Sequence, residues 1–200
     1  MQLRLLFLVA LGASAFAQPA AEDPHAEDRK LLLKIFHEVE DSINSQSLDR
    51  MVTQMDPNAT VVWANGEVSR GPAEVLAYYD RMVKGKDRIL TKYTTNAAIH
   101  GHARFLGNGD VAVADGTMED EFFPIIRGPF RLSSKWTTTI AKVNGEWKII
   151  SLHLSANVFN NVLLDEAKSA LLYTGGGGVL AGLLLGWFLG RRGKRSERTR

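Results

Sequence analysis

Residues 135–155 read KWTTTIAKVNGEWKIISLHLS, two runs of β-branched and aromatic residues around Asn144-Gly145. An Asn-Gly pair between such runs is a strong hairpin signal, because both turn residues must accept positive φ. The spacing predicts strands over 130–143 and 146–156. Alternation along the second strand sets Trp147, Ile149, Ser151 and His153 on one face and Ile150, Leu152 and Leu154 on the other. A strand apolar on both faces needs cover on both, which predicts a second subunit against the outer side.

Working backwards, the same alternation predicts strands over 89–105 and 110–123. Further upstream the period becomes helical. Leu32, Ile35, Phe36, Val39 and Ile43 share one face of an amphipathic helix, and Ser47 is placed to cap a short second helix running through Met55. ATVVWANGEV (59–68) reads as a strand and a tight turn. Gly71-Pro72 then opens a third helix whose buried stripe is Val75, Leu76, Tyr79, Met82 and Val83. Helices first and a mostly antiparallel sheet afterwards define an α+β layout with the helices on one face.

The two ends differ in character from this middle. MQLRLLFLVALGASAFA (1–17) has a cationic head, a short apolar run and a small-x-small triplet, the pattern of a cleaved secretory signal peptide. Residues 18–27 suit a flexible leader, 28–157 the folded domain and 158–170 a juxtamembrane linker. Residues 171–190 form a 20-residue charge-free run, long enough to span a bilayer, and 191–200 a basic tail. The positive-inside rule keeps that tail cytoplasmic and sets the domain outside, in the periplasm, on a single-pass anchor. Gly178, Gly182, Gly186 and Gly190 recur every fourth residue, a glycine-zipper face for close helix packing. Glycines, apolar run and basic end also fit a tripartite sorting signal that a protease removes. The helix-compatible NNVLLDEAKSALLY (160–173) stands where such signals have a polar linker, and favours a retained anchor.

Arg4 and the last ten residues hold seven of the 24 cations and one of the 22 acids, so the remainder, 17 cations against 21 acids, is net −4. That balance argues against nucleic acid as a partner. The chain has no cysteine, which excludes thiol chemistry and disulfides.

Several phrases carry a family resemblance. They are SQSLDRMVTQMDPNATVVWANGEVSRGPAEVLAYYD (45–80), with Asp56-Pro57 and Gly71, and the hairpin already quoted, with Trp147-x-Ile149 and His153-x-Ser155. Over roughly residues 28–157 the chain resembles the SnoaL-like branch of the nuclear transport factor 2-like superfamily. The resemblance implies a cone-shaped curved sheet with N-terminal helices, a pocket between them, and a dimer through the sheet's outer face. It also puts Trp63 and Thr139 where the steroid-isomerase branch needs its acids, so that chemistry is not expected.

Among chemistry-bearing residues, Asp115 shares a strand face with Val111, Val113 and Thr117, and is read as the inward acid, a candidate general acid or base. His153 is the second catalytic candidate. Their strands are expected two places apart, roughly 10 Å, so the pair would flank a ligand without touching. Trp63, Tyr79, Trp136 and Ser151 are candidate ligand contacts. His100 and His102, two apart, are weighed as a metal pair, but Lys92, Asn96 and Arg104 share their face and mark it as solvated. No metal and no cofactor are expected. The preferred reading is a membrane-anchored domain that binds a small apolar ligand or a partner protein as a homodimer. The alternatives are a lyase-, cyclase- or isomerase-type enzyme using Asp115 and His153 on a lipophilic substrate, and an assembly module with a C-terminal sorting signal.

Overall fold

The structure, a computed structural model, describes residues 23–196, with side chains as far as Phe188. The expected signal peptide, most of the leader and the last four residues of the tail lie outside the described residues.

Helix α1 (Ala26–Asn44) and the short α2 (Asp49–Thr53) lead into strand β1 (Met55–Val62). The second helix departs from expectation. Leu48 is its N-cap and makes no side-chain cap, while Ser47 Oγ bonds Asp49 Oδ2 at 3.1 Å. Strand β2 (Val68–Arg70) runs into α3 (Gly71–Tyr79), continued by one π-helical turn, Asp80–Lys84. Only glycine serves at position 71, where φ is +69° and a Cβ would lie 2.5 Å from the Pro57 carbonyl oxygen. Glu74 accepts the Arg70 amide at 2.7 Å and closes the first turn.

The sheet follows with β3 (Leu90–Ile99), β4 (Arg104–Leu106), β5 (Val111–Pro124), β6 (Phe130–Val143) and β7 (Glu146–Ala156), in the order β2-β1-β7-β6-β5-β3, β4 also pairing with β5. All pairs are antiparallel except β1 with β7. The expected strand 89–105 is thus two strands broken at Gly101, whose φ of +68° ends the first. The hairpin at Asn144-Gly145 forms as expected, with φ of 53° and 85°.

β7 corrects a second expectation. Thr139 pairs with Ser151 but Ile140 pairs with Ile149, so Ile150 is an extra, bulged residue. A bulge shifts the alternation by one. Ile149, Leu152, Leu154 and Ala156 consequently face the concave side together, while Ser151 and His153 face out. The strand is not two-faced, and the argument for a second subunit drawn from it falls away.

The core lies between the concave face and the helices: Leu32, Met51, Val61, Val75, Tyr79, Ala112 and Ile149 are all buried. α1 also covers the free edge of β3. Asn44 exchanges two 2.9 Å hydrogen bonds with the Thr95 backbone, and Glu40 accepts the Ala97 amide at 2.8 Å. Such bonds blunt an edge that would otherwise recruit another strand.

After β7 an asparagine-rich turn leads to α4 (Val162–Ser196), capped by Asn161 Oδ1, which accepts the Leu164 amide at 3.0 Å. Val162–Phe188 is long and apolar enough to cross a membrane, and none of its residues is buried, although its first turn touches the domain through Leu163 and Glu166. The expected linker 158–170 is therefore largely helical. Gly178, Gly182 and Gly186 have no neighbouring group within 4 Å of where a Cβ would stand.

Candidate ligand-binding site

A cavity of about 1000 Å³ fills the concave side of the sheet. Its wall is set by alternation: even-numbered residues of β5 and β6 and, after a register shift past Leu90, odd-numbered residues of β3 point inward. β5 contributes Ala114, Met118, Asp120 and Phe122; β6 contributes Leu132, Trp136, Thr138 and Ile140. Gly116 stands directly opposite Trp136, and a Cβ there would meet the Ala98 carbonyl and come within 2.7 Å of the indole. The glycine is what lets the Trp136 ring lie flat against β5.

One charged side chain sits deep in this apolar wall. Asp120 is 2% exposed. Tyr93 Oη donates to its Oδ1 at 2.8 Å and Ser134 Oγ to its Oδ2 at 2.6 Å. Burial raises the Asp120 pKa above the ordinary 3.8, and the hydrogen bonds from Ser134 and Tyr93 offset this only in part. Burial likewise pushes the Tyr93 hydroxyl well above its ordinary value, reinforced by the Asp120 charge. Tyr79 Oη, also on the wall, is buried without a hydrogen-bond partner, while the Thr95 hydroxyl stands beside Asp120 and Tyr93 and favours their charged forms. Buried hydroxyls seldom go unpaired, so Tyr79 Oη is an open position for a guest.

From Tyr93 a ladder of stacked rings leads outward. Tyr93 to Phe122 and Phe122 to Phe130 are each 5.0 Å between centroids, with the Arg127 guanidinium 4.4 Å above Phe130. At another part of the wall Trp63 stacks on Tyr78 at 4.0 Å and donates to Ser69 Oγ at 2.8 Å.

Of the residues singled out from sequence, Trp63, Tyr79 and Trp136 line the cavity. Asp115, Ser151 and His153 do not. Asp115 is an odd residue of β5 and faces out, where Arg104 bonds it at 2.9 Å and His100 Nδ1 stands 3.5 Å away. The Arg104 hydrogen bond holds its carboxyl below the ordinary range, the opposite of an inward acid. Asp115, Thr137 and His153 are register partners in one row across the outer face. His100 and His102 lie in the bend between β3 and β4, so no strand face pairs them. Asp120, missed in the sequence, had a signal in the small and apolar even positions Ala112, Ala114, Gly116, Met118 and Phe122 around it.

The chain matches no protein-family model and no curated protein. Solved structures do match. The hexachlorocyclohexane dehydrochlorinase LinA-type3 of Novosphingobium barchaimii superposes with a TM-score of 0.59 at 12% identity, over 68% of this chain and 90% of that one. The chain has a nuclear transport factor 2-like fold. A proposed scytalone dehydratase of Novosphingobium aromaticivorans shares it at a TM-score of 0.56 and 11% identity, over 66% of this chain and 85% of the other. An uncharacterised protein with a cystatin-like fold from Caulobacter vibrioides does so at 0.56 and 17%, over 74% and 99%. In this nuclear transport factor 2-like fold the pocket is the concavity described above.

Proposed function

We propose that the chain is a membrane-anchored domain that holds a small, mainly apolar molecule bearing one hydrogen-bonding group. The observation that carries this is a cavity of about 1000 Å³ walled by apolar side chains, with the polar atoms of Asp120, Tyr79 and Thr95 gathered on its surface. Such a wall desolvates an apolar body, and a few placed polar groups orient it. The neutral carboxyl of Asp120 donates to a ligand carbonyl and its ionised form accepts from a ligand hydroxyl. Native mass spectrometry of the full-length protein, released from membranes in mild detergent, tests the reading: extra small-molecule mass is expected on the wild type. An empty wild-type cavity across several extraction conditions would refute it.

Asp120 also favours a second reading, an enzyme of elimination type, the class named for the dehydrochlorinase that shares the fold. A buried carboxylate with a raised pKa is a stronger base than one in water, suited to taking a proton from carbon while a leaving group departs from the adjacent carbon. Asp120→Asn separates the two readings. A binder keeps its ligand in that variant with nothing consumed, whereas an enzyme keeps the ligand and loses turnover of it.

A further inference from the structure

We propose that the rim of the cavity nearest α4 docks into the bilayer, so that the pocket opens at the boundary between lipid headgroups and acyl chains. The proposal rests on the reading of α4 as a membrane anchor. Its first support is the end of the sheet that α1 leaves uncovered. α1 stops at Asn44, bonded to Thr95, so the loop Ile125–Pro129 and the start of β3 extend beyond it. The apolar residues there face solvent: Ile126 is 94% exposed, Phe159 87%, Val158 69% and Ile89 56%. Ile126, Val158 and Ile89 also line the cavity, so these side chains form its lip.

The second support is the fixed height of that lip relative to the anchor. Arg127, beside Ile126, binds Glu166 in a bidentate pair, Nη1 to Oε2 and Nη2 to Oε1, each at 2.7 Å. Glu166 lies five residues before Leu171, the first residue of the charge-free run, or about 7.5 Å along a helix. The polar headgroup layer of one leaflet is about 5–7.5 Å deep. The ion pair therefore sets the lip beside a residue at the outer edge of the headgroup layer of the membrane that α4 would cross. Charge fits the same occupant. Lys84, Lys86 and Arg88, with Asp87 among them, precede Ile89, whose carbonyl accepts the Ile125 amide at 3.1 Å, which brings a net basic segment beside the apolar lip. Apolar residues flanked by cations are the composition of a surface that sits in an anionic leaflet. An apolar guest would then reach the ring ladder and Asp120 from lipid without crossing water.

The absence of native cysteine makes the test direct. Full-length protein with a single Cys at Ile126→Cys, Phe159→Cys, Leu184→Cys or Thr137→Cys carries an environment-sensitive fluorophore. It is reconstituted in phosphatidylcholine–phosphatidylglycerol vesicles, with or without lipid-borne nitroxide quenchers, shallow for the lip positions and deep in the acyl chain for position 184. Positions 126 and 159 are exposed, so labelling removes no packing. The expected result is quenching and a blue shift at 126, 159 and 184, and none at 137 on the outer face. Quenching at 184 with 126 and 159 free in water would overturn the docking and leave the anchor standing. Positions 126 and 159 shielded from aqueous iodide yet untouched by lipid quenchers would assign the lip to a protein contact and overturn the proposal. No quenching at 184 would remove the anchor and the docking together.

Discussion

Asp120→Ala probes the pocket where its energetics are most distinctive. The substitution removes the acceptor of two buried donors, Tyr93 Oη at 2.8 Å and Ser134 Oγ at 2.6 Å. Leaving a buried donor unpaired costs about 1–3 kcal/mol, so the two together cost about 2–6 kcal/mol when Asp120 is neutral in the wild type. Above its raised pKa the wild type holds a buried charge, and its stability falls by about 1.4 kcal/mol for each unit by which folding raises that pKa. The sign follows from linkage: between the unfolded value near 3.8 and the raised folded value the native state binds more protons, so wild-type stability declines as pH rises through that window. Alanine does not titrate. The penalty of Asp120→Ala is therefore largest at acid pH and shrinks as pH rises through the window. Urea unfolding of the full-length protein in mild detergent, followed by tryptophan emission across that range, measures it. Asp120→Asn, which keeps an acceptor and has no charge, is expected close to wild type in acid and above it at higher pH. A penalty for alanine that grows with pH would mean that Asp120 is ionised more easily folded than unfolded, and would refute the account of the site.

Three further outcomes are expected. Gly116→Ala drives a methyl into the Ala98 carbonyl and the Trp136 ring, and overpacking of this kind costs about 1–3 kcal/mol, read by the same urea titration. Asp28 has its pKa lowered, first by the hydrogen bond from Trp147 and then by Lys142, so it contributes stability above pH 3.8 that is lost as pH falls through its depressed value; Asp28→Asn should lower neutral-pH stability and flatten that acid slope. Truncation after Ala156 removes α4 and leaves the buried core intact, so a soluble domain with a cooperative urea transition is expected, and its sedimentation gives the oligomeric state without α4.

Much of the fold was legible because its signals are local. The Asn144-Gly145 turn, the α1 stripe at Leu32 and Ile35 and the glycine at α3 each follow from a few neighbouring residues. The pocket aromatics Trp63, Tyr79 and Trp136 could be placed because large apolar residues have few other places to go. The polar residues could not. Asp115 and Asp120 stand five apart in one strand and so face opposite ways, and the choice between them turned on which face of β5 is concave. Val111 and Val113 suggested the wrong face, since β-branched residues also suit a half-covered outer surface. On a concave surface side chains crowd, so small residues such as Ala112, Ala114 and Gly116 mark the inside. In β7 the misreading of Ser151 and His153 came from Ile149-Ile150, two adjacent apolar residues that alternation alone assigns to opposite faces. Nothing in the residues themselves shows which pair of neighbours the ladder will skip.

That skipped residue gives β7 something like a reading frame. From Trp147 to Ala156 each side chain is read as inside or outside by counting, and Ile150 is the one place where the count is advanced. Deleting Ile150 would join Ile149 to Ser151 as consecutive partners of Ile140 and Thr139 and leave Leu152, Leu154 and Ala156 facing in, whereas straightening the bulge with all its residues kept would send those three outward and bring Ser151, His153 and Ser155 inward. A substitution alters one position, but the bulge sets the phase of every position after it. Whether Ile150 stays outside the count therefore matters more to the pocket wall than which side chain stands there.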